Sequence, residues 1–120
     1  MSSASTNTGT GVRRSRRLRV NFPIKLFTLV QQRRCVLQGR SHDISEAGMA
    51  IYIPAELQVG QMVQIEFILP ESSHRLGVTA LVRDCSGFRC GVEFLSLTTP
   101  EQKALRDCCD RLASAPLSNG

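Results

Sequence analysis

The chain has 120 residues, 42% of them apolar and 21% charged, which suits one folded unit with a single core and is too short for two. No apolar run approaches the roughly 20 residues that cross a bilayer. The first eleven residues are Ser, Thr, Asn and Gly with little else, without the apolar segment of a secretory signal, so a cytoplasmic protein is expected. The formal charge of +5 is unevenly placed: residues 1–40 hold nine Lys or Arg and no acid, whereas residues 41–120 hold six basic residues against ten acidic. A basic N-terminal third calls for an anionic partner, whether nucleotide, nucleic acid or membrane phosphate.

Residues 1–11 are too polar to bury and read as a disordered leader. Residues 12–20 form a flexible basic arm containing Arg13, Arg14, Arg16, Arg17 and Arg19. From Asn21 the composition turns to strand formers. Ile24–Val30 and Cys35–Arg40 are two such runs, and the polar Gln31–Arg34 connection between them is short enough for a hairpin. Met49–Ile53 is a third strand, stopped by Pro54. Val59-Gly60 marks a turn, after which Val63, Ile65, Phe67 and Leu69 alternate with polar residues. Leu76, Val78, Ala80 and Val82 line one face of a fifth strand. Ser86-Gly87 turns the chain into a sixth, with Phe88, Cys90, Val92 and Phe94 on the core face and Arg89 and Glu93 opposite.

The period then changes from two to about 3.6. Thr99-Pro100-Glu101-Gln102 reads as a helix start with Thr99 as cap, and Leu105, Cys108, Cys109 and Leu112 recur as one apolar stripe. Pro116 ends the helix. Six short strands with hairpin-length turns close most readily into an antiparallel barrel without exposed edges, and the helix covers one end. The expected fold is all-β with one C-terminal helix: a barrel over 21–97, a helix over 99–113 and a tail over 116–120.

Five cysteines (Cys35, Cys85, Cys90, Cys108 and Cys109) form no paired C-x-x-C pattern, and only His42 and His74 could supplement them as metal ligands. They are expected to be small buried apolar residues in a reducing compartment. No nucleophile motif or phosphate-cradling glycine loop accompanies the histidines. His42 and Asp43, adjacent on an extended chain, point to opposite faces and are not read as a base with its orienter. The expectation is a protein that is not an enzyme and that has no cofactor.

Two motifs remain. In Asp43-x-Ser45-x-x-Gly48, positions i and i+2 project together on an extended chain, so a carboxylate and a hydroxyl face one way. A carboxylate accepts two hydrogens in a fork, which suits the N–H edge of guanine, and Gly48 permits a positive-φ turn or close approach of a ligand. Taken alone the motif is equally an Asx/Ser turn between strands. Arg13-x-x-x-Arg17 supplies two planar guanidiniums, which can fork onto phosphate or onto guanine O6 and N7 and can stack on a purine. Taken alone it is equally a nonspecific basic tail.

In this order, about 26 residues apart, the two motifs resemble the PilZ domain family of receptors for the bacterial second messenger cyclic di-GMP. The family pattern is R-x-x-x-R on an N-terminal arm followed by D/N-x-S-x-x-G at the start of the barrel. The extended Val20-Asn-Phe-Pro-Ile24, Leu57-x-x-Gly60, Ala80-Leu-Val-Arg83 and Gly91-Val-Glu-Phe94 fit the same pattern, so the likeness covers about residues 12–112. It implies a six-stranded barrel with a C-terminal helix, in agreement with the reading from periodicity. It also implies that Arg13 and Arg17 grip guanine and phosphate, that Asp43 and Ser45 hold a guanine edge, and that Gly48 leaves room. Arg14, Arg16 and Arg83 are additional candidates for phosphate or stacking contacts. Val12 stands where the family's arm often carries a further basic residue, a position that bears on whether one ligand molecule or a stacked pair is bound.

The implied function is a stand-alone receptor whose arm orders on the messenger and is read by a protein partner. Two other readings have distinct signatures. A PilZ-fold interaction module that does not bind cyclic di-GMP would have lost motif residues. A barrel for single-stranded nucleic acid would carry stacking aromatics on its strands, whereas Phe67, Phe88 and Phe94 fall on expected core faces, so nucleic acid is not the expected partner.

Overall fold

The computed structural model describes residues 16–70 and 72–114. Six antiparallel strands close into a barrel and one helix follows. The strands are β1 (Leu18–Val30), β2 (Arg33–Ile44), β3 (Gly48–Tyr52), β4 (Met62–Ile68), β5 (Arg75–Ser86) and β6 (Arg89–Ser96), and the helix is α1 (Thr99–Ser114). Around the barrel the order is β1-β2-β3-β6-β5-β4, and Lys25–Phe27 of β1 pair with Gln64–Glu66 of β4 to close it. Such closure leaves no unpaired edge among these strands.

Alternation places every second side chain inside, as on β1, where Phe22, Ile24, Leu26 and Thr28 are buried between exposed or half-buried neighbours. Phe67 stacks between Phe22 and Phe94 at centroid distances of 5.5 and 6.5 Å, tying β1, β4 and β6 through one core. The helix stripe is as expected. Leu105, Cys108 and Cys109 are buried in the same core, with Leu112 packed against it. Among the described residues no helix is long and apolar enough to cross a membrane.

Four expectations are corrected. The first strand starts at Leu18 rather than beyond residue 20, because Leu18 and Arg19 already pair with Ile44 and Asp43. The expected arm over 12–20 therefore loses its last three residues to the barrel. The helix cap is Thr98 rather than Thr99. Thr98 Oγ1 accepts the Glu101 N–H at 3.2 Å and Glu101 Oε1 accepts the Thr98 N–H at 2.9 Å. This reciprocal box takes the charged Glu101, which also suits the positive end of the helix dipole, in place of Gln102.

Phe88 does not enter the core. It follows Gly87 (φ 63°) in the two-residue turn between β5 and β6 and is 56% exposed. The cysteines are not uniformly buried either: Cys90, Cys108 and Cys109 are inside, but Cys35 and Cys85 are half-buried. The leader 1–11, Arg13, Arg14, the tail 116–120 and Pro116 lie outside the described residues.

Candidate functional site

The end of β2 departs from regular pairing, and that departure builds the site. The register with β3 slips between Ser41 and Asp43, a bulge that turns both His42 and Asp43 outward while Ser41 and Ile44 stay inside. Ser41, fully buried, donates its hydroxyl towards the carbonyls of Asp43 (2.9 Å) and Ala50 (3.2 Å). Asp43 Oδ1 accepts the Ala50 N–H at 3.0 Å, holding the carboxylate across the two strands.

Two guanidiniums converge on that carboxylate. Arg17, immediately before β1, donates from Nη1 to Oδ1 at 2.7 Å, and Arg89, at the start of β6, brings Nη2 to 3.9 Å from Oδ2. The Asp43 side chain is 19% exposed and that of Arg17 49%, so the pair faces solvent and contributes at most about 1 kcal/mol to folding. Arg17 is therefore cheap to displace.

Ser45 and Gly48 do something other than face outward with Asp43. Ser45 is buried, and its Oγ accepts the N–H groups of Ala47 (3.1 Å) and Gly48 (3.2 Å), while its own N–H donates to the Gly48 carbonyl at 2.9 Å. The hydroxyl thus closes the turn from inside. A Cβ on Gly48 would stand 2.0 Å from the Val92 carbonyl oxygen, so β3 can lie this close to β6 only without a side chain there. The φ of Gly48 is not positive; close approach of the neighbouring strand is what requires glycine.

The turn is held on its outer side as well. The Phe94 N–H donates to the Ala47 carbonyl at 2.8 Å, and Arg106 of α1 comes within 3.8 Å of Glu46.

Of the other arginines expected at the site, Arg16 is exposed and Arg83 is paired with Glu93 at 2.7 Å. Glu93 of β6 stands opposite Gly48 in the ladder, which puts Arg83 of β5 two strands from the turn. Three further residues emerge from the tertiary structure: Arg89, Tyr52 and His42. Tyr52 pairs with both Arg40 and Arg89, is 42% exposed, and meets His42 edge to face at 4.1 Å. Arg89 was legible as outward-facing on its strand. Its proximity to Asp43 was not, because β6 reaches β2 only across the intervening β3.

A surface groove of about 720 Å³, lined by Phe27, Leu29, Arg34, Val36 and Met62 among others, lies towards the opposite end of the β1–β2 hairpin and contains none of the motif residues. The motif region is thus an outer face of the barrel wall. Among the described residues no three of His, Cys, Asp or Glu come together as a metal site.

This geometry defines a small closed barrel with an acidic side chain on its outer wall and cationic side chains from two distant segments gathered on it. A PilZ domain model matches residues 12–111, and the chain belongs to the PilZ domain family. Among solved structures it is similar to the PilZ domain of CeSA from a cellulose-synthesising bacterium (18% identity, TM-score 0.63, 82% of this chain and 99% of that one). It is similar to the PilZ domain of YcgR from Escherichia coli with c-di-GMP (22% identity, TM-score 0.64, 84% and 91%). A further likeness is to the Bacillus subtilis inhibitor of motility MotI/DgrA (19% identity, TM-score 0.67), of which the match spans 87% of this chain and 52% of that one. At these identities the likenesses establish the fold. No curated protein matches the chain.

Proposed function

We propose that this chain is a non-enzymatic, cytoplasmic receptor for cyclic di-GMP with no resident cofactor, which passes the ligand-bound state to a protein partner. The observation that carries the reading is the Arg17–Asp43 contact at 2.7 Å, which joins the two halves of the bipartite motif across 26 residues. Asp43 offers a fork of two acceptor oxygens to the N–H edge of a guanine. As that edge takes the carboxylate, Arg17 is released to phosphate or to the Hoogsteen edge, together with Arg13 from the arm. Arg14 and Arg16 add charge for the phosphates. Arg83 does so only by leaving Glu93. Ser45 and Gly48 shape the turn on which the ligand rests, and Arg89 lies on the far side of the same carboxylate.

The clamp needs both motif arginines, because losing either removes charge-assisted hydrogen bonds worth about 1.5–3 kcal/mol each. Calorimetric titration with cyclic di-GMP tests this. Arg13→Ala and Arg17→Ala are each expected to abolish measurable binding while the barrel stays folded, and wild-type affinity in either variant would refute the clamp.

A second reading, single-stranded nucleic acid, draws on Tyr52 and Phe88, both exposed beside Arg89. Filter binding of labelled cyclic di-GMP against single-stranded DNA at matched salt separates the two. Retention of DNA without retention of the messenger would favour it.

A further inference from the structure

Cys85 and Cys90 stand directly opposite each other on β5 and β6, with Sγ atoms 2.7 Å apart. We propose that they form a reversible dithiol–disulfide site, oxidised by small disulfides of the glutathione type, on the hairpin that carries Phe88 and Arg89.

The argument begins with the hairpin. Ser86 pairs with Arg89 around the two-residue Gly87-Phe88 loop, so the next pair outward, Cys85 and Cys90, occupies a non-hydrogen-bonded position. There the strands approach most closely, with Cα atoms about 4.5 Å apart and side chains turned to one side. That separation falls within the roughly 4.4–6.8 Å that a disulfide spans, and the sulfurs are already within about 0.7 Å of the bonded distance of ~2.05 Å. Bond formation therefore requires rotation about side-chain torsions and little movement of the backbone.

The two thiols differ in access. Cys90 is fully buried, whereas Cys85 is half-buried and its Sγ also reaches the Leu57 carbonyl at 3.5 Å. Burial first, then the hydrogen bond with Cys85 and the charges of Cys85 and Asp84, pushes the Cys90 thiol up to about 12. Cys85 is thus the sulfur an oxidant meets. Its thiolate attacks one sulfur of glutathione disulfide, the S–S bond breaks, and one glutathione leaves as thiolate and takes up a proton. The Cys90 sulfur then attacks Cys85, forming the Cys85–Cys90 bond, expelling the second glutathione and giving up its own proton. Two protein thiols are oxidised and one glutathione disulfide is reduced to two thiols. Although Cys90 holds its proton at neutral pH, a high-pKa thiol is the stronger nucleophile once ionised, and its fixed position against Cys85 raises its effective concentration.

Trypsin makes the test direct, because cleavage after Arg83, Arg89 and Lys103 separates the two cysteines into peptides 84–89 and 90–103. The folded chain is incubated with glutathione disulfide without denaturant, quenched with acid, alkylated and digested. The expected result is a disulfide-linked 84–89/90–103 pair in the mass spectrum, lost on treatment with dithiothreitol. In Cys90→Ser the glutathione adduct on Cys85 should persist, and in Cys85→Ser Cys90 should remain unmodified. A stable glutathione adduct on Cys85 of the wild-type chain, or recovery of both cysteines alkylated, would overturn the proposal. The wild-type digest decides the matter even if either variant fails to fold.

Discussion

At Asp43 one carboxylate oxygen accepts both the Ala50 amide at 3.0 Å and the Arg17 guanidinium at 2.7 Å, so substitutions on the two sides of this contact should behave differently. Arg17→Ala removes an exposed ion pair and should leave the free energy of urea unfolding within about 1 kcal/mol of wild type. Asp43→Ala also strips the Ala50 amide of its acceptor and should cost about 1–3 kcal/mol while abolishing ligand binding. Ser45→Ala leaves the Ala47 and Gly48 amides without their acceptor inside a buried turn, with a similar expected loss. For Gly48→Ala, the clash with the Val92 carbonyl forces β3 and β6 apart, and urea denaturation should register a loss of roughly 1–3 kcal/mol with or without ligand. A Gly48→Ala variant of unchanged stability would show that the ladder can yield there at no cost.

Among the elements, the β1–β2 hairpin is joined in an unusual way. Gln31 and Gln32 both take left-handed conformations, with φ of 52° and 65°, in a two-residue loop where Asn-Gly is the common solution. Left-handed geometry costs a non-glycine residue about 1–2 kcal/mol. The double substitution Gln31→Asn/Gln32→Gly should therefore raise stability by about 1 kcal/mol, read as an increase in Tm without change in affinity. At the other end of the chain, Thr98→Ala opens the capping box of α1 and should cost about 1 kcal/mol, with faster hydrogen exchange at the amides of residues 99–102. Its effect should stay local to the helix start.

For the molecule as a whole, the helix and barrel share one core, so the docking of α1 contributes to the stability of the entire unit. Leu105→Ala, at a fully buried position, should lower global stability by about 2–5 kcal/mol in one cooperative transition. The uneven charge acts at this scale too: five arginines within residues 13–19 favour a multiply charged anion, and the effect weakens as salt rises. Binding to the folded chain alone adds stability by mass action, about 2.7 kcal/mol at a hundredfold excess of ligand over Kd. A thermal melt with cyclic di-GMP should accordingly show a concentration-dependent rise in Tm, and a flat response at millimolar messenger would count against the proposed receptor.

Local alternation and the helical stripe were enough to give six strands and one helix, because those periods are imposed by each segment's need to bury one face. Asp43-x-Ser45-x-x-Gly48 was legible as a turn for a similar reason, since that residue pattern marks a bend between strands, whereas the arginine motif took its meaning from the family resemblance. Tertiary structure decided what depends on pairing between distant strands. The bulge at His42 turned Asp43 outward, the cap of α1 went to Thr98, and Phe88 was left in solvent because the turn takes it before the strand begins at Arg89. Ser45 faced inward because its turn needed an acceptor, and Gly48 was required by the backbone of β6. Arg89 met Asp43 and Cys85 met Cys90 only once register was set, and register is chosen by the whole barrel's packing, to which no single segment holds the key.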